Sequence, residues 1–199
     1  MIQIGNERLS DARIIGIELL GGLFTSETME IHILREMFKG VSFQEMFMLG
    51  RSFPYRIGKL FTKKNQEKTL SLINQYTEAV YQALSTKCEV NHSVLSALKE
   101  ALEHHFSIAV FSTLPGANTM ELLRKLELNL DVKMFTTELD KLNYFPEPDL
   151  IRACVSFYNA EAHETMLLTS CNTAIIAAKS ARVHYYALPQ NKELKIQFS

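Results

Sequence analysis

The chain has 199 residues, a net charge of −1 and 47% hydrophobic residues. That length suits one domain of moderate size with room for a small insertion, and the near-neutral charge, with Lys63-Lys64 the nearest approach to a basic run, offers no footprint for nucleic acid or an anionic membrane. No apolar run approaches the roughly 18 residues of a membrane span, the first residues carry no secretory apolar core, and three cysteines without metal spacing (Cys88, Cys154 and Cys171) fit a reducing cytoplasm, where each reads as a small buried hydrophobe.

Residues 1–10 read as a polar lead-in with one edge strand from Ile2 to Ile4. Ile14, Ile15, Ile17, Leu19 and Leu20 then form a β-branched-rich apolar run, the pattern of a strand buried on both faces of a parallel sheet. Gly21-Gly22 permits a tight turn, and Thr25 or Ser26 is placed to cap the next helix, with Glu27 and Glu30 suited to its first turn. From Thr25 to Leu84 the pattern is helical: Met29, Ile33, Met37 and Phe38 share one spacing, and Leu70, Ile73, Tyr76, Thr77 and Val80 another, with Gly50-Arg51-Ser52-Phe53-Pro54 breaking the run. Asn91 or Ser93 caps a helix through Val94, Leu95, Leu98 and Leu102 that ends at His104-His105, a doubled histidine better suited to the negative end of a helix dipole than to a metal.

Ser107–Thr113 reads as a second parallel strand, ending in a hydroxyl at Ser112 that can satisfy local backbone without any ligand. A loop and a helix over Thr119–Leu126 follow, with Leu122, Leu123 and Leu126 on one face, and Leu130–Thr136 is a third strand. Asp149 is placed to cap a helix over Leu150–Tyr158. Glu164–Thr169 reads as a fourth strand, Ala174–Lys179 as a helix, Arg182–Pro189 as a fifth strand and Gln190–Ser199 as a short tail. The expected fold class is α/β, a Rossmann-like parallel-sheet core over residues 1–25 and 91–199 with a helical cap inserted at 26–90.

The order of these motifs resembles the haloacid dehalogenase-like hydrolase superfamily, in the β-phosphoglucomutase and phosphoglycolate-phosphatase branch. Glu18-Leu19-Leu20-Gly21-Gly22-Leu23-Phe24-Thr25-Ser26 stands in the register of that family's first motif, Asp-x-Asp-Gly-Thr-Leu followed by Phe and Asp-Ser. The resemblance puts Glu18 at the nucleophilic aspartate and Leu20 at the general acid/base aspartate. It makes Ser112, with the adjacent Thr113 backbone, the phosphate-holding pair. It puts Phe145 at the lysine, just ahead of the matching Pro146, Pro148 and Asp149, and Ser170 at the metal-binding aspartate. Gly50-Arg51-Ser52 resembles the branch's cap segment, and Asn91-His92 stands where the branch has Pro-Gly.

Phosphoryl transfer through an aspartyl-phosphate needs a carboxylate nucleophile, a proton donor, Mg²⁺ on oxygen ligands and a cation for the phosphate charge. The resemblance keeps only Ser112 of that set unchanged. Lys141 lies four residues upstream of the lysine position and reads as a solvated surface lysine, and Glu18 reads as a strand-end carboxylate bonded to backbone N–H groups or a surface cation. Cys171 falls near the same sheet edge as Glu18, yet nothing in the sequence sets a histidine beside it. The expectation is a catalytically silent fold used as a binding or regulatory module, monomeric, without a cofactor, and engaging a small phosphorylated ligand or another protein. The competing expectation is a divergent phosphatase or phosphomutase using Mg²⁺ on a small phosphorylated metabolite.

Overall fold

The computed structural model describes residues 2–4, 7–25, 27–38, 66–87, 89–128, 132–136, 144–188, 194 and 196–198. Gly50, Arg51 and Ser52, together with Lys63-Lys64, Cys88 and Lys141, lie outside them. Five strands form one parallel sheet: β3 (Ile14–Glu18), β6 (Ser107–Ser112), β7 (Val132–Thr136), β8 (Thr165–Thr169) and β9 (His184–Ala187), in the spatial order β7-β6-β3-β8-β9. Every residue of β3 and β8 is buried, as the apolar run predicts for central strands covered on both faces.

Alternation along β3 divides the core in two. Ile15 and Ile17 join Ile108, Val110, Met166 and Leu168 on one face, packed with α3 (His92–Glu103) and α4 (Gly116–Lys125). Ile14 belongs to the other face with Ala109, Phe111 and Leu167, covered by α5 (Asp149–Phe157) and α6 (Asn172–Ala181). Asn91, one of the two residues placed to cap α3, is the cap: its side chain accepts from the Val94 N–H. Asp149 is not a cap. Pro148 holds that position and Asp149 opens α5 as its first residue, where a carboxylate still suits the positive end of the helix.

Between β3 and β6 the described residues hold two helices, α1 (Glu27–Met37) and α2 (Gln66–Thr86). They are flanked by β4 (Phe24–Thr25) and β5 (Glu89–Val90), which pair antiparallel, so the chain leaves and re-enters at adjacent points. The block is therefore not wholly helical, because a two-stranded ribbon closes its base. Ile33, Leu34, Tyr76, Val80 and Leu84 are buried in the same apolar cluster as Leu19, Leu20 and Leu23, whereas Leu70 on α2 is exposed. The segment read as a tail also differs from expectation. Ile196–Phe198 forms β10, which pairs antiparallel with β1 (Ile2–Ile4), itself paired with β2 (Glu7–Leu9).

The turn after β3 is tightly closed. Gly21 has φ 77° and its N–H donates to the Phe24 carbonyl, while the Leu23 and Phe24 N–H groups donate to Glu18 and Leu19. A Cβ at Gly22 would lie 2.3 Å from the Glu18 carbonyl oxygen and 2.8 Å from the Ile17 side chain. Since backbone cannot yield there, Gly22→Ala is expected to destabilise the protein by about 1–3 kcal/mol. Urea unfolding should show a lower midpoint with an unchanged slope.

Candidate functional site

From β3 the chain builds outward in both directions, through β6 and β7 on one side and β8 and β9 on the other. The strand order therefore reverses between β3 and β8, and in open α/β sheets the crevice at the carboxyl edge of such a point is where ligands bind. Glu18 ends β3 and Thr169 ends β8, so both stand on this edge. Ser112 ends β6 on the same edge, one strand over.

Glu18 is fully buried, at 0% exposure. The Thr169 hydroxyl donates to one of its carboxyl oxygens. The Tyr144 hydroxyl reaches the other at a long 3.5 Å. Thr169 Oγ1 in turn accepts from the Cys171 N–H at 2.9 Å. Side-chain hydroxyls from distant parts of the chain are thus among the partners of Glu18. Burying a carboxyl group is tolerated only when such partners are supplied.

The other positions are occupied from within. Leu20 is buried in the apolar cluster, where it has no proton to give. Phe145 is 0% exposed, with ring centroids 4.6 Å from Tyr144 and 5.7 Å from Phe111. It fills the core at the place where the resemblance puts a charged lysine. Ser170 Oγ donates to the Gly21 carbonyl at 2.7 Å, joining the β8–α6 turn to the turn after β3. Ser112 Oγ accepts from the Leu114 N–H at 3.0 Å and from the Thr119 hydroxyl at 2.9 Å, a local strand-end arrangement. The Thr113 hydroxyl is buried and has no hydrogen-bond partner among the described residues.

The structure thus brings Glu18 and Ser170 together across the switch point and sets Leu20, Ser112 and Phe145 around them, each already engaged. Sequence reasoning missed Thr169 and Tyr144, the two hydroxyls on Glu18. The signal for Thr169 was its place at the end of a strand that must neighbour β3. Tyr144 carried no such signal, because a loop aromatic has no periodicity to betray its direction.

Thiol chemistry fares no better. Burial pushes the Cys154 thiol up to about 12, which leaves almost no thiolate at neutral pH. Cys171 is half-buried with its Sγ 2.9 Å from the Thr173 hydroxyl. His104, His105, His163 and His184 all stand where chain enters a strand, at the opposite edge of the sheet. A magnesium site also does not fit these residues. Mg²⁺ prefers near-octahedral oxygen coordination through one or two carboxylates, whereas Glu18 is enclosed by hydroxyl donors, Leu20 is apolar and Ser170 is turned to Gly21. Among the described residues no group of three or more His, Cys, Asp or Glu side chains could hold a metal. A cavity of about 720 Å³ lies instead between α1 and α2, floored by Met29, Ile33, Ala79 and Ala83, with His32 and Lys87 on its rim. Among the described residues no helix is long and apolar enough to cross a membrane.

If the Thr169–Glu18 contact holds the edge together, Thr169→Val should destabilise the protein by about 1–3 kcal/mol, the penalty for leaving a buried polar group short of a partner. Denaturant unfolding of Thr169→Val beside Thr169→Ser, which keeps the hydroxyl, measures this; the serine variant should lose markedly less.

With this geometry, the likeness to known proteins is coherent. Residues 26–188 match the family model for haloacid dehalogenase-like hydrolases. No curated protein matches the chain. Among solved structures, CbbY of Rhodobacter sphaeroides, in complex with phosphate, superposes with a TM-score of 0.71 at 16% identity, over 90% of this chain and 87% of that one. A proposed β-phosphoglucomutase of Bacteroides vulgatus gives 0.72 at 18% identity, over 90% and 76%. A hydrolase of Pseudomonas syringae gives 0.71 at 14%, over 87% and 82%. Identities this low speak to the shared fold, while the family model spans most of the sequence; the chain belongs to the haloacid dehalogenase-like hydrolase family.

Proposed function

We propose that this chain keeps the family's fold without its phosphoryl-transfer chemistry, and acts as a binding or regulatory module for a small phosphorylated ligand or another protein, as a monomer in a reducing cytoplasm. One observation carries the reading: the carboxyl group at the switch point is fully buried and hydrogen-bonded by Thr169. A nucleophile must meet its substrate in near-attack geometry, and a misplacement of about 1 Å can cost on the order of 10²-fold. Glu18 is also one methylene longer than the aspartate of the motif it resembles.

The remaining losses compound this one. Leu20 supplies no general acid, a group that contributes typically about 10²–10⁴ in rate. Neither lysine nor metal carboxylate stands at Phe145 and Ser170, and a single missing electrostatic donor can cost about 10²–10³. Such terms do not simply multiply, since residues acting as a unit are non-additive. Even so, no complete route to product is left.

The test is turnover on a panel of small phosphomonoesters with Mg²⁺. Wild type should stay below about 0.1 s⁻¹, well under the common range of roughly 1–10³ s⁻¹, and Leu20→Asp alone should restore nothing. Turnover above that level that disappears in the near-isosteric Glu18→Gln would establish the divergent phosphatase or phosphomutase instead.

Titration calorimetry bears on the same reading through the metal. No micromolar Mg²⁺ site is expected, and Mg²⁺ should leave the melting temperature unchanged, because any ligand selective for the native state must raise it. A micromolar site abolished by Glu18→Gln would refute the reading.

A further inference from the structure

The seam between α1 and α2 is lined by a repeated pattern. On α1, Met29 and Ile33 stand about one turn apart, and so do Thr28 and His32 beside them. On α2, Ala79 and Ala83 form the matching apolar pair, with Gln82 and Thr86 beside them. Each helix therefore brings an apolar row and a polar row to the seam. The apolar rows rest on the main core cluster, and the polar rows are exposed. Two alanines facing Met29 and Ile33 are too short to fill the space between the helices, which leaves the cavity of about 720 Å³.

The polar groups of the lining are unevenly engaged. On α2, Gln82 donates to Glu78 at 2.8 Å and the Thr86 hydroxyl to the Gln82 carbonyl at 2.7 Å, so both are satisfied within their own helix. The Thr25, Thr28 and His32 side chains have no hydrogen bond to the described residues. The chain enters α1 from β4 and leaves α2 into β5, so one end of the cavity lies at this ribbon, where Thr25 is paired with Glu89. Lys87, which follows the last turn of α2, lines that same end. Among the described residues neither Lys87 nor Glu89 has a salt-bridge partner.

We propose that this cavity binds a small organic acid, with an apolar ring or chain seated over Met29, Ile33, Ala79 and Ala83 and a single carboxylate turned to the ribbon end. There Lys87 supplies the opposite charge, and the Thr25 and Thr28 hydroxyls supply hydrogen bonds. The volume falls within the roughly 300–1,000 Å³ of small-molecule sites, whose usual construction is an apolar lining with a few polar groups that fix orientation. Glu89 on the same rim sets the charge of the ligand, because it opposes a doubly charged phosphate more strongly than a singly charged carboxylate. None of the lining residues belongs to the Glu18 crevice, so occupancy does not depend on whether that crevice retains chemistry.

Amide chemical shifts of the intact chain, followed by NMR during titration with 1-naphthylacetate, test the proposal. The shifts should saturate and concentrate in α1, the second half of α2 and the β4–β5 ribbon. The neutral isostere 1-naphthylacetamide should bind the same place about two- to fivefold more weakly, the loss expected of one exposed ion pair, and inorganic phosphate should not saturate. Lys87→Gln should weaken the acid by that factor and leave the amide unchanged, a difference that a general loss of structure would not produce. Ala83→Leu fills the floor and should abolish binding of both; Ala79→Met serves the same purpose should the leucine variant fail to fold. A titration that does not saturate, shifts centred on Glu18, Ser112 and Thr169, equal losses for acid and amide in Lys87→Gln, or full binding to a folded cavity-filled variant would each overturn the site.

Discussion

The structure turns on a hydrogen bond between residues 151 positions apart, Thr169 to Glu18. It joins the ends of β3 and β8, the two strands on either side of the point where the sheet reverses its order of growth. In an open α/β sheet the turns at this point diverge and leave a crevice. Here they are drawn together, since Ser170 reaches the Gly21 carbonyl from the same side. A carboxyl group at this depth has two ways to persist, by meeting water or a ligand or by meeting protein donors. Thr169 and Tyr144 supply the second.

That solution depends on packing laid down further in. Gly16 has no side chain, and a Cβ there would lie 2.7 Å from the Phe111 ring. The ring therefore rests against the β3 backbone, in contact with Phe135 and Phe145 at centroid distances of 5.8 and 5.7 Å. Phe145 carries Tyr144 beside it, and the Tyr144 hydroxyl is the one that reaches Glu18. A glycine in a central strand is thus linked through an aromatic layer to the orientation of a polar group at the sheet edge. Replacing Phe145 with a long cation would put a charge in place of a ring that packs on Phe111 and Tyr144, so the present aromatic layer would have to be rebuilt to hold it.

The architecture was largely legible because it rests on local patterns. Strands β3, β6 and β8 announce themselves by short apolar runs, and α4 by the spacing of Leu122, Leu123 and Leu126, all buried as expected. What escaped was nonlocal. Ile196–Phe198 is too short to show alternation, and its partner Ile2–Ile4 lies at the far end of the sequence. Asp149 has the chemistry of a cap, yet Pro148 takes the cap position and leaves Asp149 inside the first turn. At the site, the types of Leu20, Phe145 and Ser170 revealed which chemistry was missing. They could not reveal what the positions do instead, because the partner of Glu18 is set by sheet order and that of Ser170 by the path of two turns.

The pairing of β1 with β10 bears on how the molecule is made. These strands are separated by almost the whole described chain, yet Ile4 opposes Ile196 and both are buried in the main apolar cluster. During synthesis β1 and β2 emerge before the strands of the parallel sheet, and a two-stranded ribbon alone is marginal in water. One edge of β1 stays open until β10 leaves the ribosome, so the parallel sheet can assemble long before this small antiparallel one is complete. Closing so long a loop adds little entropic penalty beyond that of a moderate one. The consequence is one of order: the three-stranded sheet closes only after every strand of the parallel sheet has been made. A polypeptide stopped short of Leu194 would expose Ile4 and an unpaired strand edge, the surface that chaperones and proteases read as incomplete.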